Sequence, residues 1–199
     1  MIGNDVVDLG DPETRPGAQH PRFDERVFAP EEREALARSG APNRLRWILW
    51  AAKEAAYKVA RKLDPRVAFS PRRFVVRLDA ALRGEVRYDG ERFGLRVDVL
   101  PGAVHAIASS DAEVPASVRS ELRDLPAAEA DPGRSVRALA ARSLASALGA
   151  EPGAVAVVSA GRLPRLEVGG RPAAADLSLS HHGRLVAWAC EVAPLEERA

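Results

Sequence analysis

Apolar and polar residues alternate along this chain with two periods, near two and near four, and the switches between them mark out its elements. Residues 2–9 are mostly apolar positions interrupted by Asp5 and Asp8, which predicts a short strand. After a loop rich in proline and glycine, Pro30-Glu31-Glu32 opens a helix, because proline in the first turn and acids near the N-terminus are both helix-start signals. The longest helical pattern covers residues 43–63, where Ile48, Ala52, Ala55 and Val59 recur on one face and Asp64-Pro65 ends the run. Strands are predicted at 74–78, 85–88, 92–99 and 104–109, with Asp89-Gly90 as a two-residue hairpin turn. Residues 111–133 lose periodicity and predict a linker with one helical turn at 117–122. A second alanine-rich helix at 135–148 closes on Gly149, and strands follow at 154–158, 165–168, 177–180 and 185–192.

Both halves therefore run from a helix into several strands, and short segments match between them. Residues 51–56 (AAKEAA) align with 140–145 (AARSLA), and 102–108 (GAVHAIA) with 183–189 (GRLVAWA). The pattern predicts an α+β fold of two pseudo-symmetric lobes, each a long helix packed on a small antiparallel sheet, with an active site in the cleft between them. The expected divisions are an N-terminal lobe at 1–112, a linker at 113–133 and a C-terminal lobe at 134–199. The repeat is uneven in chemistry. Glu54 and Lys58 of the first helix face Ser143 and Ala147 in the second, while Ser180-His181-His182 has no histidine counterpart in the first half.

Composition narrows the class without naming a function. With 199 residues, 46% hydrophobic and 29% charged, the chain is long enough for one medium domain or two small lobes around a shared core. No segment approaches the roughly 18 apolar residues of a membrane span, and the start MIGNDVVDLGD lacks the basic-then-apolar order of a secretory signal. A single cysteine, Cys190, excludes an internal disulfide framework, so a cytoplasmic location is expected. The net charge is only +1, but residues 44–73 hold nine basic residues against two acids, a local excess of +7. Such a patch suits a polyanionic ligand, an acidic protein or a solvated helix face.

The candidate reactive residues are few. Glu54 and Lys58 lie four apart on one helix face, a spacing that also makes an ordinary surface ion pair, but their neighbours are alanines and aromatics. Asp5 interrupts an apolar strand; paired with Glu54 it can hold Mg²⁺, which takes a few carboxylates together with water and phosphate oxygens. His181 follows a strand and precedes the glycine turn at Gly183, a position suited to donating a hydrogen bond to a phosphate. Its neighbour His182 points to the opposite face of the strand, so the two do not form a metal pair. No zinc-spaced cluster, Walker loop or dinucleotide fingerprint occurs.

Four segments together resemble the phosphopantetheinyl transferase superfamily: IGNDVV at 2–7, RVF at 26–28 before an acidic helix, WAAKEAAYK at 50–58 and LSLSH at 177–181. The helical W-x-x-K-E-A-x-x-K is the specific element, and the segments touch both halves. The resemblance implies Mg-dependent transfer of 4′-phosphopantetheine from coenzyme A to a serine of an acyl or peptidyl carrier protein, releasing 3′,5′-ADP. It implies Asp5 and Glu54 as Mg²⁺ ligands, with Glu54 also helping to deprotonate the serine. Lys58 then neutralises the leaving phosphate, Ser180 and His181 hold coenzyme A phosphates, and Lys53 and Arg162 add basic contacts. The carrier protein and coenzyme A are the expected partners; nucleic acid and membrane are not.

The order of motifs, aspartate first and Ser-His last, matches the small single-lobed holo-acyl-carrier-protein synthases, which assemble as trimers. The length and the degenerate repeat instead imply a permuted two-lobed member working as a monomer. Two-lobed members often carry D-x-E; here the second acid is Val7, so the metal shell falls to Asp5, Glu54, water and the pyrophosphate. Two other readings stay open: a catalytically silent module that binds coenzyme A or a carrier protein, and a nucleic-acid binder using the basic patch. The patch has few interleaved aromatics for stacking single strands.

Overall fold

The computed structural model describes residues 1–125, 131–161 and 163–192. Its organising element is a 22-residue helix, α3 (Pro42–Leu63), preceded by the strand β1 (Ile2–Asp8) and two shorter helices, α1 (Phe23–Val27) and α2 (Pro30–Arg38). Proline at the first helical position and Asp64-Pro65 beyond the last set the limits of α3. Its buried face is mostly small: Ala51, Ala52, Ala55 and Ala56, with Ile48 and Val59. That face lies on an antiparallel sheet formed by β1, β2 (Val75–Leu78), β3 (Arg83–Tyr88), β4 (Glu91–Leu100) and β5 (Ala103–Ser109), in the order β1-β5-β4-β3-β2. The hairpin expected at Asp89-Gly90 joins β3 to β4, with both residues at positive φ.

Every residue of β5 is buried, because both faces of the sheet are covered. Val104, Ala106 and Ala108 pack with α3. From the other face, Ile107 joins Ile2, Val118 and Ala189, and Ala103 joins Val6, Leu185 and Ala187. The same alternation in β1 puts Gly3, Asp5 and Val7 toward α3, and Ile2, Asn4 and Val6 toward the second sheet.

That second sheet has the order β10-β11-β6, from β10 (Ala175–His182), β11 (Leu185–Val192) and β6 (Arg119–Asp124). A helix, α4 (Pro132–Ala147), packs on β10 and β11 and on β7 (Val155–Ala160), which pairs with β8 (Leu163–Val168) and the short β9 (Arg171–Pro172). Val136, Leu144, Leu166, Leu177 and Trp188 form the core there. The α+β class is as the sequence predicts. The difference lies at residues 119–124, where an irregular linker with a helical turn was expected and β6 is found, paired along β11. Its sequence, RSELRD, has only one apolar residue and so shows no period-two pattern; on the edge of a sheet such charge is tolerated and protective. With β6 in place, the first strand of each half pairs with the last: β1 with β5, and β6 with β11. No helix among the described residues is long and apolar enough to cross a membrane.

Candidate active site

The site begins at Gly3. A β-carbon there would stand 2.1 Å from the carbonyl oxygen of Ala55, so only glycine lets β1 approach α3 this closely. Two residues along the same face of β1 comes Asp5, and one turn further along α3 comes Lys58. The Lys58 ammonium donates to the Asp5 carboxylate at 2.9 Å and to the carbonyl of Asn4 at 2.7 Å. An ammonium has three donors, so one remains for a ligand.

Glu54, one turn before Lys58, has no hydrogen-bond or ion-pair partner among the described residues. Burial, and then the charge of Asp5, push its carboxyl up to about 7, against the opposing pull of Lys58. Asp5 is also raised by burial, although Lys58 and His182 pull it down. The two carboxylates and one ammonium thus form a cluster short of positive charge.

Beside it, between α3 on one side and α4, β8 and β10 on the other, lies a cavity of about 430 Å³. Lys58, Arg61, Lys62, Arg137 and His181 border it, and no acid does among the described residues. Arg61 donates to the Tyr57 hydroxyl at 3.1 Å, and its guanidinium lies over that ring. Arg137 donates to the carbonyl of Gly133 at 2.8 Å. Neither arginine has a carboxylate partner among the described residues, so both keep their charge for an anion. Val136, Leu163, Leu177 and Leu179 supply an apolar wall.

Of the residues singled out from the sequence, the structure brings together Asp5, Glu54 and Lys58, and places His181 on the same cavity as Lys58. Ser180 is not brought there. Its side chain is on the opposite face of β10, buried, accepting from the Asn4 amide at 2.9 Å. Lys53 is not brought there either. It is 0% exposed and spends all three donors on Glu32 at 2.7 Å and the carbonyls of Pro71 and Phe74, beside the Phe28 ring. Glu32 in turn accepts from the backbone of Ala29 and Val76, so the pair ties α2, α3 and β2 together. Arg162 lies outside the described residues. Val7, at the position of the missing acid, is buried against α3.

Sequence reasoning missed the polar seam between the sheets. Asn4 donates to Ser180 and to His105 Nε2 at 3.1 Å, while Ser178 accepts the Asn4 N–H and His182 Nδ1 the Asp8 N–H. The signal was present, since Asp176, Ser178, Ser180 and His182 alternate with Leu177 and Leu179. Such a polar face ordinarily meets water; here it meets the open edge of β1. Arg137 carried no signal beyond its charge.

A family model described as the 4′-phosphopantetheinyl transferase superfamily matches residues 1–110, the span that holds Asp5, Glu54 and Lys58. Among solved structures, an apo-ACPS structure from Chronobacterium ammoiniagenes is 23% identical, with a TM-score of 0.43, over 54% of this chain and 93% of that one. No curated protein matches the chain.

Proposed function

This chain belongs to the 4′-phosphopantetheinyl transferase superfamily, and on that premise we propose that it moves 4′-phosphopantetheine from coenzyme A to a serine of an acyl or peptidyl carrier protein, releasing 3′,5′-ADP. The observation that carries the reading is the meeting of Asp5, Glu54 and Lys58 beside a cavity whose charged liners are all cations.

In the proposed reaction the serine oxygen attacks the phosphorus that bears the pantetheine oxygen. A phosphoester bond forms there as the bond to the bridging oxygen of the pyrophosphate breaks. Glu54, whose carboxylate has no hydrogen-bond partner among the described residues, is suited to take the serine proton, a step worth about 10²–10⁴-fold. The free donor of Lys58 faces the charge that develops on the departing 3′,5′-ADP. Arg61 and Arg137 hold the remaining phosphates from opposite walls, with His181 adding a donor. Tyr57, Leu163 and Leu179 receive the uncharged parts of the ligand.

The donor set fits Mg²⁺. Asp5 and Glu54 are close enough for one charge to raise the other carboxyl, and Glu54 has no hydrogen-bond partner among the described residues. A shell of these two carboxylates would be completed by water and substrate oxygens. When bound there, the ion supplies charge neutralisation and orientation at the pyrophosphate.

The cavity takes its walls from both halves of one chain, which supports a working monomer, with β6 counted in the second half rather than in a linker that ends at 133. The related first-strand-to-last-strand pairing supports a duplicated origin. By that pairing Leu122 stands where Asp5 does, and Ser143, bonded to Glu121, stands for Glu54, so the second half has no acid pair.

The test is to incubate an apo carrier protein with coenzyme A, Mg²⁺ and the enzyme. The carrier gains the mass of phosphopantetheine, and Glu54→Gln abolishes the gain. Undiminished transfer by that variant overturns the assignment of the site, and coenzyme A binding without 3′,5′-ADP release identifies a silent binding module instead.

A further inference from the structure

The lysines at 53, 58 and 62 all reach inward from α3, and counting donors separates their roles. Lys62 borders the cavity, yet its side chain is only 5% exposed. Its ammonium donates to the carbonyl of Ile2 at 2.6 Å, to Asp176 at 2.7 Å and to the carbonyl of Leu177 at 2.9 Å. Three donors meet three acceptors, so nothing is left for a ligand. Burial lowers the Lys62 pKa, and the charge of Asp176 works against that shift.

The acceptors come from two different strands. The other oxygen of Asp176 accepts the N–H of Ile2, so this one ion pair closes both backbone groups of Ile2 on the open edge of β1. The same ammonium grips the backbone of β10 at Leu177, two and four residues before Leu179 and His181 on the cavity wall. Thus α3, β1 and β10 meet at a single nitrogen. At the far end of the same edge Arg184, in the turn after β10, pairs with Asp8 at 3.2 Å, so β10 is pinned at both ends.

We propose that Lys62 and Asp176 are positioning residues: their pair fixes where β10 sits along β1, and through it the span between Lys58 and Arg61 on α3 and His181 on β10. The proposal rests on the cavity being the coenzyme A site. Neither residue touches the ligand; both act through the strand that carries His181. Phosphates held from two walls are sensitive to that span, because a misplacement on the order of 1 Å in a positioning contact costs up to about 100-fold.

The test uses the full-length protein as wild type, Lys62→Met, Lys62→Arg and Asp176→Asn. Lys62→Met keeps most of the stem and removes the charge; Asp176→Asn is the milder change should the first variant fail to fold. Amide NMR without ligand reads position directly. We expect faster exchange of the Ile2 N–H and shifted resonances along β10 through His181, with those of β3 and β4 unchanged. Calorimetry with coenzyme A is expected to show affinity weakened between about 10- and 100-fold in Lys62→Met and Asp176→Asn, and partly restored in Lys62→Arg.

Unchanged affinity in variants whose Ile2 amide has become exposed overturns the positioning role and leaves the pair as a plain structural tie. Unmoved β10 resonances overturn it without reference to any ligand. Failure of the wild type itself to bind coenzyme A overturns the reading of the cavity, and the NMR arm still decides whether the pair sets the strand.

Discussion

Gly3 and the carbonyl oxygen of Ala55 stand so close that a β-carbon on residue 3 would lie 2.1 Å from that oxygen. This contact explains why a glycine comes two residues before the aspartate: it brings β1 onto the backbone of α3 and so delivers Asp5 to Lys58. Elsewhere in a strand, alanine is favoured over glycine by about 0.5–1 kcal/mol. Gly3→Ala is expected to do the opposite and lose about 1–3 kcal/mol through overpacking, measured by denaturant unfolding. Transfer activity should fall further than stability, because Asp5 moves with the strand. A variant as stable and active as wild type would show that β1 and α3 have room to part.

Lys53 and Lys58 share one sequence motif but should fail in opposite ways. Lys53→Met leaves Glu32 buried without its cation, which typically costs about 3–5 kcal/mol, and much of the protein should be unfolded. Lys58→Met removes an ammonium that is partly exposed and keeps a donor free. Its melting temperature should fall less than that of Lys53→Met, because the site is partly exposed and its carboxyls, already raised by burial, can take up a proton, while phosphopantetheine transfer drops about 100-fold or more. Thermal melts and transfer assays on both variants make the comparison, and equal loss of activity at equal stability would contradict it.

The contrast also shows what the chain reveals on its face. The α3 helix was legible because alanines at helical spacing admit few other structures, and Glu54 and Lys58 came with it, while Asp5 was legible as an acid in an apolar strand and through the motif it belongs to. Helical spacing also separates Lys53, which lies about 140° around the helix from Lys58. Its destination was not legible, because Glu32 and the Phe74 carbonyl arrive from distant parts of the chain. The alternation of β10 fixed that Ser180 and His181 point oppositely, but not which face met the cavity. That depended on β1 presenting an unpaired edge, which side chains rather than another strand then closed. The strand β6 was hidden for a local reason, its charged sequence.

Glu54 has no partner among the described residues and its charge is disfavoured by burial and by Asp5, so it should cost the metal-free protein stability. Glu54→Gln keeps the shape and removes the charge. In EDTA at pH 8 it is expected to melt higher than wild type, even as transfer activity falls by about 100-fold or more, the usual exchange of stability for function at a reactive group. Adding Mg²⁺ should raise the melting temperature of wild type by mass action and leave that of the variant nearly unchanged. Equal stabilisation of both would remove Glu54 from the metal shell.

The seam between the sheets predicts a pH dependence that has nothing to do with catalysis. His105 is buried, and its Nε2 accepts from the Asn4 amide. Burial, then the charges of Arg96 and Lys58, lower its pKa to about 4, so the folded protein keeps it neutral. An unfolded histidine titrates near 6.5. The unfolded state therefore takes up a proton first as pH falls, and this histidine's contribution to stability is lost between about 6.5 and 4, while above 6.5 it is fully present. The shift corresponds to roughly 3 kcal/mol across that window. Urea unfolding from pH 8 to pH 4 is compared between wild type and His105→Gln, which retains hydrogen-bonding capacity but does not titrate; their difference isolates the histidine, because protonation of the raised Glu54 carboxyl favours the folded state over an overlapping range. A difference between wild type and His105→Gln that stays level from pH 6.5 to 4 would mean that the imidazole is protonated within the seam, and the Asn4 amide would then have to turn its oxygen toward the ring.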